Sequence, residues 1–302
     1  MSEGQPRNAA PSGRAPAPAN RLRVVMLGDI VGTPGRQAVA QQMPAIRERW
    51  QPDLVIANAE NTASGSGLTP DQYKKLCTSG VDAMTLGDHV YRKVQIRGVL
   101  ERQGNIIRPA NLPAGAAGKR WMKLLPDPER AGHGYTGPPL YVITILGRVF
   151  GTLPIDEPFA ALEDVLLSLP EPNPLVLVEV HAEATSEKIA MSWHLDGRAV
   201  AVIGTHTHVP TADARILPRG AGCITDIGMC GPHESILGRR IDRVLTHMTT
   251  SMPAPFDVAE GDPRVNGVFL EIDTVRRRTV AIERIELAAD PSRPPFVMPQ
   301  HG

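Results

Sequence analysis

The chain has 302 residues, 42% of them hydrophobic, enough to bury a full core in one large domain or two ordinary ones, and its 32 Lys and Arg balance 32 Asp and Glu. That balance removes any overall field that would draw the molecule to nucleic acid or an anionic membrane, so stable DNA binding is not expected and an anionic substrate must be held locally. The three cysteines, Cys77, Cys223 and Cys230, form no CxxC pair, no apolar run is long enough to span a bilayer, and the N-terminus lacks the apolar centre of a secretory signal, which together point to the cytoplasm.

Residues 1–20 are rich in Pro, Ala and Gly, cannot bury enough apolar surface to offset chain entropy, and are expected to form a disordered tail. A single domain over residues 21–289 follows. From Leu22 the text alternates between β-rich and helical stretches: Leu22–Leu27 then Arg36–Arg49, Leu54–Ala57 then Pro70–Thr78, Ala83–Leu86 then Val94–Arg102. Such alternation marks βαβ units with strands buried between layers. Residues 114–139, dense in Gly, Pro and charge, break it and are expected to be an inserted loop or small cap. Strands are next expected at Leu140–Leu146, Leu175–Val180 and Val200–Gly204, with helices at Phe159–Ser168 and Ser186–His194. The text then turns β-rich, at Arg215–Leu217, Gly222–Thr225, Gly267–Ile272 and Thr279–Leu287, before a proline-rich C-terminal tail over residues 290–302. An α/β sandwich of two mixed sheets flanked by helices accounts for this order better than an open doubly wound sheet does.

The chemistry-bearing residues fall where these strands end, the edge at which α/β proteins place ligands. The first strand runs into Gly28-Asp29, the second into Glu60-Asn61, and the third into Asp88-His89. A lone Asp after a strand is most simply a cap or turn residue. Three successive strands delivering oxygen donors to one edge are harder to dismiss. The strand Leu175–Val180 leads directly into His181, and Val200–Gly204 leads into His206 and His208. If that segment stays extended, the last two imidazoles project to one side. Mixed oxygen and nitrogen donors without cysteine suit divalent manganese, iron or zinc in an open site. Seven donors, Asp29, Glu60, Asn61, Asp88, His181, His206 and His208, exceed what one tetrahedral ion takes. Two ions about 3.5–4 Å apart would use them, an arrangement suited to phosphoester displacement.

These motifs resemble the calcineurin-like metallophosphoesterases, and within them the bacterial YmdB-like phosphodiesterases. The match runs over about residues 22–287 and rests on LGDIVG from Leu27, Asn58 to Asn61, Gly87 to His89, Arg108 to Asn111, the HAEATSEK run from His181, GTHTH from Gly204 with Thr211 to Asp213, and Thr225 to Met229 before Gly231-Pro232. The resemblance implies a metallophosphoesterase sandwich with one ion on Asp29, Glu60, Asn61 and His208 and a second on Glu60, Asp88, His181 and His206, Glu60 bridging. His89 would protonate the leaving oxygen. It further implies two divalent ions, iron or manganese with zinc as a third choice. The substrate would be a nucleotide or other phosphodiester, with 2′,3′- or 3′,5′-cyclic nucleotides as candidates, and the molecule a cytoplasmic homo-oligomer. Two departures stand out: Asp88 occupies a position where the family usually has Asn, and Val90 to Lys93 replaces the usual aromatic and acidic continuation. They keep an alternative open, a metal-binding regulatory protein with little turnover that acts by binding RNA or a protein. Other residues carry two readings: Thr62 to Gly67 as a phosphate cradle or a plain loop, Arg108 as a phosphate partner or a solvated surface residue, and Glu183 and Ser186 to Lys188 as supports for His181 or a helix start. His194, His233 and His247 are expected to be structural or exposed.

Overall fold

The computed structural model describes residue 18, residues 20–127 and residues 135–290. Most of the expected N-terminal tail and all but Asp290 of the C-terminal tail lie outside them. Pro18 and Asn20, assigned to the tail by composition, are tied down, their carbonyls accepting from the N–H groups of Arg21 and Thr274.

The first sheet begins with β1 (Arg21–Leu27), and Asp29–Ile30 forms a two-residue β2. Helix α1 (Gly32–Trp50) leads to β3 (Leu54–Asn58), α2 (Pro70–Thr78) to β4 (Ala83–Thr85). Helix α2 starts where its sequence says, because the Thr69 hydroxyl accepts from the Gln72 N–H, the Gln72 side chain accepts from the Thr69 N–H, and Pro70 fills the first helical position. The helix expected at Val94–Arg102 opens as a 3₁₀ turn, Val94–Ile96, before α3 (Arg97–Arg102). The second sheet is built from β5 (Trp121–Leu124), β6 (Leu140–Leu146), β7 (Leu175–His181) and β8 (Ala201–Thr205), with α4 (Pro158–Ser168) and α5 (Thr185–Leu195) between the later ones. Short strands β9 (Arg215–Ile216) and β10 (Gly222–Ile224) complete it. The chain then returns to the first sheet through β11 (Met229–Pro232), α6 (Ile241–Thr250), β12 (Pro263–Asp273) and β13 (Arg278–Ala288).

Both sheets are mixed. The first runs β2-β11-β12-β1-β3-β4 with β13 beside β12, and the second runs β5-β6-β7-β8-β10-β9. Strand period decides which residues face which layer. Val24 and Met26 of β1 point between the sheets, meeting Leu140, Val142, Leu177 and Ile203, while Val25 and Leu27 point outward under Val39, Met43 and Ile46 of α1. The second sheet repeats this, its outer residues Ile143, Ile145, Val178 and Val180 packing against Leu162, Val165 and Met191 of α4 and α5. Four layers result, helix, sheet, sheet and helix. The stretch expected as an inserted loop or cap contributes an edge strand instead: Met122 and Leu124 are buried in the inter-sheet core and β5 pairs antiparallel with β6. Four residues of alternation amid charge were too short a signal; residues 128–134 of that stretch lie outside the described residues.

One buried ion pair ties α5 to the loops at the sheet edge. Lys188 is 2% exposed, and its Nζ lies 2.8 Å from Oδ2 of Asp226, which also accepts from the Thr207 backbone N–H at 3.0 Å and hydroxyl at 2.7 Å. Removing one member of such a pair leaves the other charge buried and unpaired, at a cost of about 3–5 kcal/mol. Lys188→Ala should therefore lower unfolding stability in urea by that order. Adding Asp226→Asn to it should recover part of the loss, and additive losses would refute the pairing.

Candidate metal centre

Parallel strands β1, β3, β4, β7 and β8 end at one edge, and each hands a donor to the space above it. Gly28 lets β1 turn into Asp29, since a side chain there would sit 1.9 Å from the carbonyl oxygen of Gly228. Asp29 is then held in register by β2, which pairs with Met229 and Cys230 of β11. After β3, the Asn58 side-chain oxygen accepts from the Glu60 N–H at 3.1 Å, a local turn that aims Glu60 inward. After β4, the His89 N–H donates to Oε2 of Glu60 at 3.0 Å, placing Asp88 and His89 beside it.

Glu60, Asp88, His181 and His206 offer donor atoms that all lie within 4.8 Å of one another. The His181 Nε2 is 3.1 Å from Oε1 of Glu60 and 3.1 Å from Oδ1 of Asp88, and the His206 Nδ1 is 3.0 Å from His181 Nε2. On the other flank of Glu60, the Asn61 amide nitrogen donates to Oε1 at 3.1 Å and stands 3.2 Å from the Nε2 of His208. Asn61 Oδ1 faces the His89 Nδ1 at 2.8 Å, so a 180° turn of the amide is needed for that oxygen to join the donors. Asp29 is fully buried beneath the group, its Oδ2 accepting from the His206 N–H at 3.2 Å. Glu60 thus stands between two clusters of candidate donors.

The reason His206 and His208 reach the site differs from the expectation. Strand β8 ends at Thr205, and both histidines have left-handed backbone, with φ of 96° and 65°. They are not alternate residues of an extended strand. Non-glycine residues in this region are strained, and the surroundings must hold them there. Here Asp226 grips Thr207 between them, and the His208 Nδ1 lies 3.1 Å from the Leu237 carbonyl.

The cluster calls for positive charge. Burial pushes Asp29 up to about 7 against the pull of His181, and its Oδ1 is buried without a hydrogen-bond partner. Burial opposes charge on His181, yet Glu60, Asp88 and Asp29 outweigh it and hold its pKa well above the ordinary imidazole value. Among the described residues, the ion-pair partners of these three carboxylates are all histidines. An orphaned carboxylate oxygen and an imidazole forced to carry charge are what divalent cations would relieve, so the residues present fit a metal. Gly87 adds to the fit, because a Cβ there would lie 2.3 Å from both Oε2 of Glu60 and Nε2 of His181.

Behind His181 lies a set of residues that sequence reading passed over. Glu179, wholly buried, accepts from the Asn58 amide, the Thr144 hydroxyl and the Thr205 hydroxyl, each at 2.8 Å. With its proton given to Glu179, Thr205 accepts from His181 Nδ1–H at 2.9 Å, which fixes the ring with Nε2 facing the carboxylates, the nitrogen that would give up its proton to an ion. The signal was a carboxylate inside an otherwise apolar strand, Leu175–His181. Arg108 is not a phosphate partner: it is 2% exposed and its guanidinium donates to the carbonyls of Pro109 and Ala116. The Thr62 to Gly67 loop presents carbonyls to Arg36 and Arg239. His194 pairs with Glu163, and His233 with Asn266, away from the cluster.

Gly87→Ala tests the geometry. The wild-type protein should bind manganese and be stabilised by it, by about 2.7 kcal/mol per site at a hundred times the dissociation constant. Gly87→Ala should lose bound manganese in metal analysis and most of the manganese-induced rise in Tm.

The sequence model of the YmdB-like protein family matches residues 25–285. A Bacillus subtilis (strain 168) protein named 2′,3′-cyclic-nucleotide 2′-phosphodiesterase is 40% identical over 269 residues, covering 89% of this chain and 98% of that one. Among solved structures, a hypothetical protein from Thermus thermophilus superposes with a TM-score of 0.81 at 40% identity, over 89% of this chain and all of that one. A crystal structure described as a novel phosphatase from Mycoplasma pneumoniae gives a TM-score of 0.81 at 32% identity, over 90% and 95% of the two chains. With the match spanning nearly all the described residues and relatives of this identity along their whole length, the chain belongs to the YmdB-like protein family.

Proposed function

We propose that the protein is a divalent-metal-dependent phosphodiesterase that hydrolyses cyclic nucleotides, 2′,3′-cyclic phosphates first among them. The observation that carries this reading is the anionic cluster around Glu60 with its orphaned Asp29 oxygen, and the name of the Bacillus subtilis relative supports the substrate class. Asp29, Glu60, Asn61 and His208 would hold one ion and Glu60, Asp88, His181 and His206 a second, with Glu60 common to both. Bound there, the ions supply the charge that polarises the phosphoryl group toward attack by water. Iron or manganese, or else zinc, suits the mixed donors. A cytoplasmic homo-oligomer completes the reading; the three free cysteines fit a reducing compartment.

The chain's own residues do the rest. Asp29, beneath the cluster, supplies negative charge and fixes the His206 backbone. Glu179, through Thr205, holds the proton of His181 on Nδ1, so that Nε2 is the nitrogen that would turn to an ion. His89 is one-quarter exposed, with Nδ1 at Asn61 Oδ1 and Nε2 3.4 Å from Oδ2 of Asp88, at the open side of the cluster. From there it can give a proton to the ribose oxygen as the bond to phosphorus breaks and water's oxygen takes its place. That leaving oxygen is a poor one and needs the proton; nitrophenolate does not.

Hydrolysis of 2′,3′-cyclic AMP with manganese and its abolition by a chelator test the whole. Full metal loading without turnover would replace the enzyme with a metal-binding regulator. His89→Ala should keep its metal yet slow cyclic nucleotide hydrolysis by about 10²–10⁴-fold, with a much smaller loss on bis-p-nitrophenyl phosphate. Equal losses, or a fall in bound metal, would make His89 a ligand or a structural residue.

A further inference from the structure

Beside the metal donors lies a cavity of about 150 Å³ that the reaction above leaves without a role. Asp88, His181 and His206 form one end of it, and the loop that follows β6 forms the other, with Phe150, Leu153 and Ile155 as apolar walls. A phosphoryl group at the donors would therefore have an apolar space next to it. The ring of Phe150 is the most exposed large apolar group on this loop, at 82%, and its backbone is left-handed, with φ of 65°. Positive φ at a bulky residue is costly and persists only where the surroundings enforce it. They do so here. The Arg148 and Val149 N–H groups both donate to Oε1 of Glu187 on α5, the Gly147 N–H donates to the His181 carbonyl at 3.0 Å, and the Gly151 N–H closes a turn onto the Arg148 carbonyl. An exposed aromatic ring is thus held in a strained position on a braced loop, at the rim of a cavity that opens onto the donors.

We propose that this cavity is the site for the nucleobase of the substrate, and that Phe150 is the face on which the base stacks. The proposal rests on the phosphodiesterase reading and deepens it, by assigning the part of the substrate that the metal donors do not touch. An aromatic face takes any base, and stacking is worth about 1–3 kcal/mol per base by alanine substitution, or about 5- to 150-fold in binding. Because that energy is gained before and during the chemical step alike, its loss falls on KM more than on kcat.

The test compares two substrates of the same reaction, 2′,3′-cyclic AMP and the base-free methyl riboside 2′,3′-cyclic phosphate, in the wild-type protein and in Phe150→Ala, Phe150→Leu and Phe150→Trp. The wild type should prefer the nucleotide. Phe150→Ala and Phe150→Leu should reduce that preference, as the ratio of the two kcat/KM values, by about 5- to 150-fold, carried by KM. Phe150→Trp should keep it. A preference unchanged in Phe150→Ala, or a loss of equal size on both substrates, would overturn the base site while leaving the phosphodiesterase reading intact. A wild-type protein that turns over neither substrate would overturn that reading and the base site with it.

Discussion

The arrangement depends on one carboxylate in a place where carboxylates are costly. Glu60 is 1% exposed, and its two oxygens meet the Asn61 amide, the His89 backbone N–H and the His181 ring. Placing such a charge out of water is tolerated only where paired groups or a cation answer it. The residues around Glu60 answer in part, with imidazoles and amide donors, and leave Asp29 below it still wanting positive charge. A cluster that closed on itself with lysine or arginine would be quieter and chemically idle.

Geometry brings this about through the sandwich. The proposed donors Asp29, Glu60, Asn61 and Asp88 come after strands β1, β3 and β4 of the first sheet; His181 ends β7 of the second, and His206 and His208 come after its β8. Because β1, β3 and β4 are mutually parallel, as are β6, β7 and β8, their C-terminal ends lie on one edge of each sheet. The inter-sheet core sets those edges side by side, so the packing of Val24, Met26 and Leu177 is also what sets the distance between carboxylates and imidazoles.

Much of this was legible in the sequence, because buried parallel strands write themselves as apolar runs and their ends as abrupt polar residues. Strand Leu140–Leu146 and helix Pro70–Thr78 are where period and capping put them, and every proposed ligand follows a strand of the alternation. What escaped was structure that exists only through distant partners. Two residues, Asp29–Ile30, carry no periodicity, and they are a strand only because Met229 and Cys230 lie alongside. The left-handed backbone of His206 and His208 comes from Asp226 and its loop, so reading the segment as extended was reasonable locally and wrong in place. Glu179 was visible as an oddity in an apolar strand, but its role depends on Thr144 and Thr205 from neighbouring strands.

The strand order has a consequence for how the protein comes into being. The central strand β1 pairs with β12 over its whole length, Arg21 opposite Asp273 and Leu27 opposite Gly267, so the first sheet waits for nearly the last segment of the chain to be made. Contacts this far apart in sequence are slow to form, because the loop between them must close before they repay its entropy. Four of the proposed donors, Asp29, Glu60, Asn61 and Asp88, leave the ribosome early and the three histidines about a hundred residues later, and none of the early ones is fixed in place until the closing strand arrives. On the reading proposed above, an ion would meet its full set of ligands only after that strand has closed.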